Sequence, residues 1–320
     1  MNYRTKIIAL SCAAAALAVL YALSLALDPA RRGARADLYS WLDPRDIERI
    51  ASIAIILPRI AIDASDQGLE ARVLVLAREG GAWIARGEDG RSLPARADRI
   101  EAFLFELARR APYPARARGA AVHARLSLDE ESAARVIISG AFGPPILDAL
   151  FGQNDLLGTG IYIRRAGSSE ARLGEDRFSA YIWTEEIFWH DLALFSGETR
   201  GLADLSRITL RRAGEADTVF ARAGRNWETS LEIEAINSLR VDAFAHEALL
   251  SRADGFADAQ GADFGDGAVI FDFFFGESVV LGFAAPDQNG RRMVSVGGRA
   301  YWISGWLYER FFPAPESFGL

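Results

Sequence analysis

The residues best suited to chemistry are acids beside aromatics. Glu185, Glu186 and Asp191 lie next to Trp183, Trp189 and His190. Glycoside hydrolysis uses two carboxyl groups roughly 5–10 Å apart, one as acid and the other as base or nucleophile. The segment would therefore serve a carboxylate-dependent hydrolase. Adjacent glutamates on a helix point in different directions, however, so it serves equally as a solvated face with a buried aromatic side. A second acidic group, Asp254, Asp258, Asp263 and Asp266, has the oxygen ligands calcium prefers. It lacks the D-x-D-x-D-G spacing of an EF-hand and reads as an acidic loop.

Other constellations are missing from the sequence. The histidines are His123, His190 and His246, and none forms an H-x-x-x-H pair. His246-Glu247 begins like a zinc-protease motif, but position 250 is Leu. Neither a G-x-S-x-G elbow, a Walker A loop nor a dinucleotide fingerprint is present. The expectation is a non-enzymatic chain with no cofactor, no metal and no catalytic residue. Trp183, Trp189, Trp302 and Trp306 remain as a candidate surface for a ligand or a protein partner.

Composition narrows the class. Half of the 320 residues are apolar and a quarter are charged, as in globular proteins. The net charge of −7 lacks the basic footprint of a nucleic-acid binder, so no nucleic-acid partner is expected. Cys12 is the only cysteine, which rules out a disulfide within the chain and any cysteine-based metal site.

Ile7 to Leu27 runs 21 residues without a charge, enough for a helix to span the roughly 30 Å of a hydrocarbon core. It reads first as a permanent signal anchor in the cytoplasmic membrane. A cleaved signal peptide, with Ser24-Leu25-Ala26 as its small residues, and a lipoprotein signal ending at Cys12 are the other readings. The short N-terminal tail carries Arg4 and Lys6, which would hold it in the cytoplasm and put residues 28–320 outside. Residues 28–45 then read as a polar tether.

The remainder repeats itself. Ala77-Arg78-Glu79-Gly80-Gly81-Ala82-Trp83 and Ala221-Arg222-Ala223-Gly224-Arg225-Asn226-Trp227 both read A-R-x-G-x-x-W, 144 residues apart. Alternating runs precede each, at Ile50–Leu57 and Arg72–Leu76, and at Leu205–Arg211 and Thr218–Phe220. Gly80 and Gly224 fit hairpin turns, and Trp83 and Trp227 fit packing of a helix on a sheet. Fifteen residues after each Trp stand Asp98 and Asp242, each read as opening a helix. Asp98 is expected as N-cap, with Glu101 completing a capping box and Ile100, Phe103, Leu104 and Leu107 forming one apolar stripe. The second helix is expected from Asp242 to Arg252. About four strands follow each helix, and a closing aromatic segment ends each half: Tyr181-Ile182-Trp183 in one, Tyr301-Trp302-Ile303 in the other. The fold class is α+β: two tandem repeats, 46–196 and 204–313, each a mainly antiparallel sheet with one packed helix, after an N-terminal transmembrane helix. One continuous α+β domain with two similar hairpins is the alternative.

At these residues the chain resembles a bacterial family, the domain of unknown function 4340. The resemblance rests on the N-terminal span, the strand and G-x-x-W of Val75–Leu107 with Ala97-Asp98, and Phe151-Gly152 followed by Gly160-Ile161-Tyr162-Ile163. It implies an envelope protein accessory to ABC export systems of the gliding-motility type and supplies no catalytic residues. The leading expectation is thus an accessory or scaffold subunit of an envelope transport complex, with an ABC transporter component as partner. An envelope glycan- or small-ligand-binding module is the alternative, and the hydrolase follows.

Overall fold

The structure is a computed structural model, and it describes residues 17–19, 21, 38–58, 72–87, 90–195, 202–231 and 235–319. Most of the expected membrane span therefore lies outside the described residues. Among those described, no helix is long and apolar enough to cross a membrane.

The chain forms two compact units that meet in sequence between His190 and Asp191. In the first, the strands are β1 (Leu38–Tyr39), β2 (Ile50–Ile56), β3 (Val73–Glu79), β4 (Ala82–Arg86), β5 (Ser92–Pro94), β6 (Ala111–Pro112), β7 (Ala115–Arg118), β8 (Ala134–Gly140), β9 (Leu147–Asn154), β10 (Gly160–Arg165) and β11 (Glu170–Glu175). The helices are α1 (Ala97–Ala108), α2 (Ala120–Arg125) and α3 (Ser179–Ile182). The second unit contains β12 (Leu205–Arg212), β13 (Thr218–Ala223), β14 (Asn226–Thr229), α4 (Ser238–Leu249), β15 (Gly255–Ala257), β16 (Gly267–Phe273), β17 (Ser278–Phe283), β18 (Arg292–Val296), β19 (Arg299–Ile303) and α5 (Gly305–Phe311).

Each unit is built on one large sheet whose strands pair antiparallel throughout. The first sheet runs β5-β4-β3-β2-β8-β9-β10-β11-β7 and the second β14-β13-β12-β16-β17-β18-β19-β15. Leaving β5 aside, the two orders correspond strand for strand. Both also place a short edge strand, made after the helix, against the last strand of the meander. The fold is therefore α+β with two mostly antiparallel sheets.

Alternation explains the cores. Ile53 and Ile55 of β2, Val136 and Ile138 of β8, and Leu147, Ala149 and Phe151 of β9 point to one face, where the Ile100, Phe103, Leu104 and Leu107 stripe of α1 covers them. In the second unit Ile208, Phe271, Leu281 and Phe283 take Val241, Ala245 and Ala248 of α4.

The A-R-x-G-x-x-W segments form matching hairpins. Arg78 pairs with Trp83 and Arg222 with Trp227 across the strands. Gly80 (φ 57°) and Gly224 (φ 64°) sit at the first turn position, where a side chain would be strained. Each arginine lies over its tryptophan, at 5.0 Å for Arg78 and 4.6 Å for Arg222.

Several expectations need correction. Asp98 is not the N-cap: α1 is preceded by Arg96, which makes no side-chain capping bond, and Asp98 stands in the first turn, paired with Arg96. That guanidinium, through its hydrogen bond, holds the Asp98 carboxyl below its ordinary range. The second helix starts four residues before Asp242, because Asn237 caps it by accepting from the Leu239 N–H at 3.1 Å. Asp242 is in the helix's second turn, the position Glu101 holds in α1. The closing aromatics are not equivalent: Tyr181 and Ile182 are helical, with Trp183 as C-cap, whereas Tyr301-Trp302-Ile303 belongs to β19. The folded part also begins earlier than residue 46. Trp41 and Leu42 are buried in the first core, and β1 pairs with β6. At the other end, Leu192, Leu194 and Phe318 belong to the second core.

Candidate functional site

The four candidate tryptophans have different surroundings. Trp183 and Trp189 lie in the first unit, and Trp302 and Trp306 in the second. Trp189 is fully buried, its ring edge-on to Phe103 at 5.8 Å and to Phe188 at 5.2 Å. It is a core residue, which corrects its reading as surface. Trp183 is partly exposed at the end of α3. Trp302 points to the sheet face opposite Tyr301 and Ile303, with the Arg291 guanidinium 4.8 Å from its ring. Trp306 is 67% exposed, the most open of the set.

Trp306 owes its position to local chemistry. Ser304 caps α5, its Oγ accepting from the Leu307 N–H at 3.3 Å. The helix then drives Leu307, Tyr308 and Phe311 into the core. Trp306 falls on the opposite face. The Arg310 guanidinium stacks 4.7 Å from its ring and donates to Glu247 of α4. This ion pair ties α5 to α4 at the surface.

A hollow opens on each side of Trp306. One, of about 450 Å³, is lined by Arg240, Phe244, Glu247, Arg310 and Pro313 together with Trp306. The other, of about 370 Å³, is lined by His246, Leu250, Arg252, Asp254, Arg310 and Trp306. Leu250, 61% exposed, gives the second hollow an apolar wall. Arg240 braces the first by donating to the carbonyls of Ser317 (3.2 Å) and Gly319 (2.8 Å). The result is a shallow groove with an aromatic ridge, apolar patches and charges of both signs. This suits recognition of a peptide or protein surface, where Trp and Arg dominate binding energy. The sequence held one signal for it: Trp306 and Arg310 are four apart on a helix whose other face is apolar.

The acidic candidates are placed separately. Glu185 is exposed. Glu186 bonds to His190 Nε2 at 3.2 Å and closes over Gly87, where a Cβ would meet its carboxylate at 1.9 Å. Asp191, in the second unit, faces Arg252 at 3.5 Å. In the acidic loop, Asp258 and Asp263 each accept from a backbone N–H two residues on, and Asp266 pairs with Arg292. Among the described residues no group of three or more His, Cys, Asp or Glu could hold a metal ion. His123 is buried, its Nε2 2.9 Å from the Ser169 carbonyl. Glu247 of the His246-Glu247 pair is taken up by Arg310.

The repeat markers differ in their roles. Asp242 Oδ1 accepts from Trp227 Nε1 and from Arg222, both at 2.8 Å. Helix, hairpin and sheet are thus joined at one carboxylate oxygen. The first unit has no such joint: Trp83 Nε1 is buried without a partner among the described residues. The joint has no local sequence signature, because Trp227 and Asp242 stand fifteen residues apart on different elements.

Comparison with known proteins gives no matching family model, curated relative or solved structure.

Proposed function

We propose that the chain is a membrane-anchored, extracytoplasmic, non-enzymatic protein that acts as an accessory or scaffold subunit of an envelope transport complex, with the Trp306 groove as its docking surface for a protein partner. The observation that carries this reading is the exposed Trp306–Arg310–Glu247 ridge between two hollows. A large aromatic left in solvent forfeits burial worth about 2 kcal/mol, which a partner recovers. The apolar run Ile7–Leu27 supports the tether to the cytoplasmic membrane. The resemblance described above supports an ABC transporter component as the partner.

Affinity purification of the full chain from detergent-solubilised membranes tests the proposal. The unsubstituted chain should retain an integral transport protein, and Trp306→Ala should weaken that retention by about thirtyfold, equivalent to 2 kcal/mol at a binding hot spot. The thermal midpoint should stay unchanged, since the ring contributes little to the core. Equal retention by both chains, or recovery of no envelope protein, would refute the docking role.

A further inference from the structure

The first unit carries a second feature suited to a bilayer. The turn between β8 and β9, Ala141-Phe142-Gly143-Pro144-Pro145, is exposed throughout and holds no charge. Phe142 at its tip is 96% exposed. Pro144 and Pro145 have no N–H, so this backbone has two fewer donors to desolvate in a poorly hydrated setting.

The turn stands at the end of the unit where the chain arrives from its N-terminus. Gly140, at the base of the turn, pairs with Ile50, the first residue of β2, and a Cβ on it would lie 3.3 Å from the Arg49 carbonyl. Ala149, just beyond the turn, pairs with Arg165, which donates to Tyr39 Oη at 2.8 Å and to the Trp41 carbonyl at 2.7 Å. Residues 39–41 and the turn are thus fixed at one end of the sheet. Ten residues separate Leu27 from Leu38, and such a stretch reaches at most about 35 Å.

We infer that the Phe142 turn is a membrane-contact element, which seats in the headgroup region of the bilayer that holds Ile7–Leu27 and orients the first unit against it. This rests on the anchor reading of that segment. The turn at the other end of β9 provides a contrast. Leu156 and Leu157 are exposed there, but Asp155 sits beside them, its carboxylate accepting from the Thr159 and Gly160 N–H groups. The corresponding turn of the second unit carries Phe274 and Phe275 next to Glu277, so the uncharged tip is particular to the first unit.

The test uses the full chain with Cys12→Ser, reconstituted in phosphatidylcholine–phosphatidylglycerol nanodiscs. An environment-sensitive fluorophore is attached at Phe142→Cys or, in a separate preparation, at Leu156→Cys. The inference predicts blue-shifted emission at 142, a severalfold lower iodide quenching constant than at 156, and quenching at 142 alone by lipid spin-labelled near the headgroup. Equal iodide access at both positions, in a chain that resists carbonate extraction, would overturn it while leaving the anchor intact. Protection at 142 from iodide and from spin-labelled lipid alike would assign the turn to a protein contact and would also overturn it. Release of the chain by carbonate would refute the anchor instead, and the inference with it.

Discussion

Replacing Asp242 should destabilise the second unit, whereas replacing Asp98 should leave the first almost unchanged, although sequence spacing makes the two look alike. Asp242 serves two donors with one oxygen: an indole N–H in a tryptophan only 1% exposed and a guanidinium whose side chain is 13% exposed. Asp242→Ala strands both. An unsatisfied buried donor costs about 1–3 kcal/mol and breaking a fully buried ion pair about 3–5. Asp242 retains some solvent contact, so screening brings the combined loss to about 3 kcal/mol. In a unit of this size that lowers the thermal midpoint by about 10 °C. Asp98 has a side chain 64% exposed and an adjacent arginine as partner; Asp98→Ala should cost less than about 1 kcal/mol. Asp242→Asn, which keeps an oxygen for Trp227, should fall between them. Calorimetry of the full chain in detergent, with hydrogen exchange at β13 and β14 to identify the unit that opens, measures all three. Equal midpoint shifts for Asp98→Ala and Asp242→Ala would refute the reasoning.

Two further outcomes follow from buried contacts in the first unit. Gly174 of β11 faces Tyr113, and a Cβ there would lie 2.1 Å from the ring of a residue only 1% exposed; Gly174→Ala should therefore cost about 3 kcal/mol by overpacking, and an unchanged denaturant midpoint would contradict this. Burial pushes the Tyr113 phenol up to about 12, against the opposing pull of Arg177. The folded unit thus keeps a proton that the unfolded chain gives up near pH 10, and the associated stability, complete below that pH, is lost as pH rises from about 10 to about 12. Tyr113→Phe should flatten this part of the alkaline stability profile, and an identical slope in both chains would count against it.

Much of the fold was legible because its strands obey period two and its hairpins carry glycine. The runs at 50–57, 72–76, 205–211 and 218–220 mark β2, β3, β12 and β13, which send Ile53 and Ile55, Leu76, Ile208 and Phe220 into the cores. What failed was the alignment of the helices. The loop from Trp83 to α1 is longer than the loop from Trp227 to α4, so equal spacing from tryptophan to aspartate placed Asp98 in a first turn and Asp242 in a second. Loop length is set by local turn chemistry, and spacing across a loop is a poor guide to equivalence. The edge strands β7 and β15 were also missed. Ala115–Arg118 and Gly255–Ala257 have no buried residue and hence no periodicity, and their partners, β11 and β19, lie far along the chain. The Trp306 groove was half legible: Trp306 stands out in the sequence, but the Arg310–Glu247 pair beside it joins two helices that no local pattern connects.

A closer likeness between the two units than the aspartates provide lies on the outer sheet faces. In each unit the connection from the edge strand to the next central strand must cross the sheet. In the first it passes over β9 at Gly152, where a Cβ would lie 2.2 Å from the Leu126 carbonyl. In the second it passes over β17 at Gly282, where a Cβ would lie 3.3 Å from Phe264. Both glycines point away from the helix-covered core and admit the crossing chain, a close approach that no other residue allows without movement. The crossings then diverge. The first gains α2 and a small apolar cluster of Leu128, Ala133, Leu150 and Ala171, sealed by Arg164 donating to the Leu128 carbonyl. The second remains a loop with Asx turns at Asp258 and Asp263. Different cover over the corresponding strand of a shared strand order is what distinguishes the two units. It places the first unit's added structure on its sheet and the second unit's exposed aromatic, Trp306, on its helices.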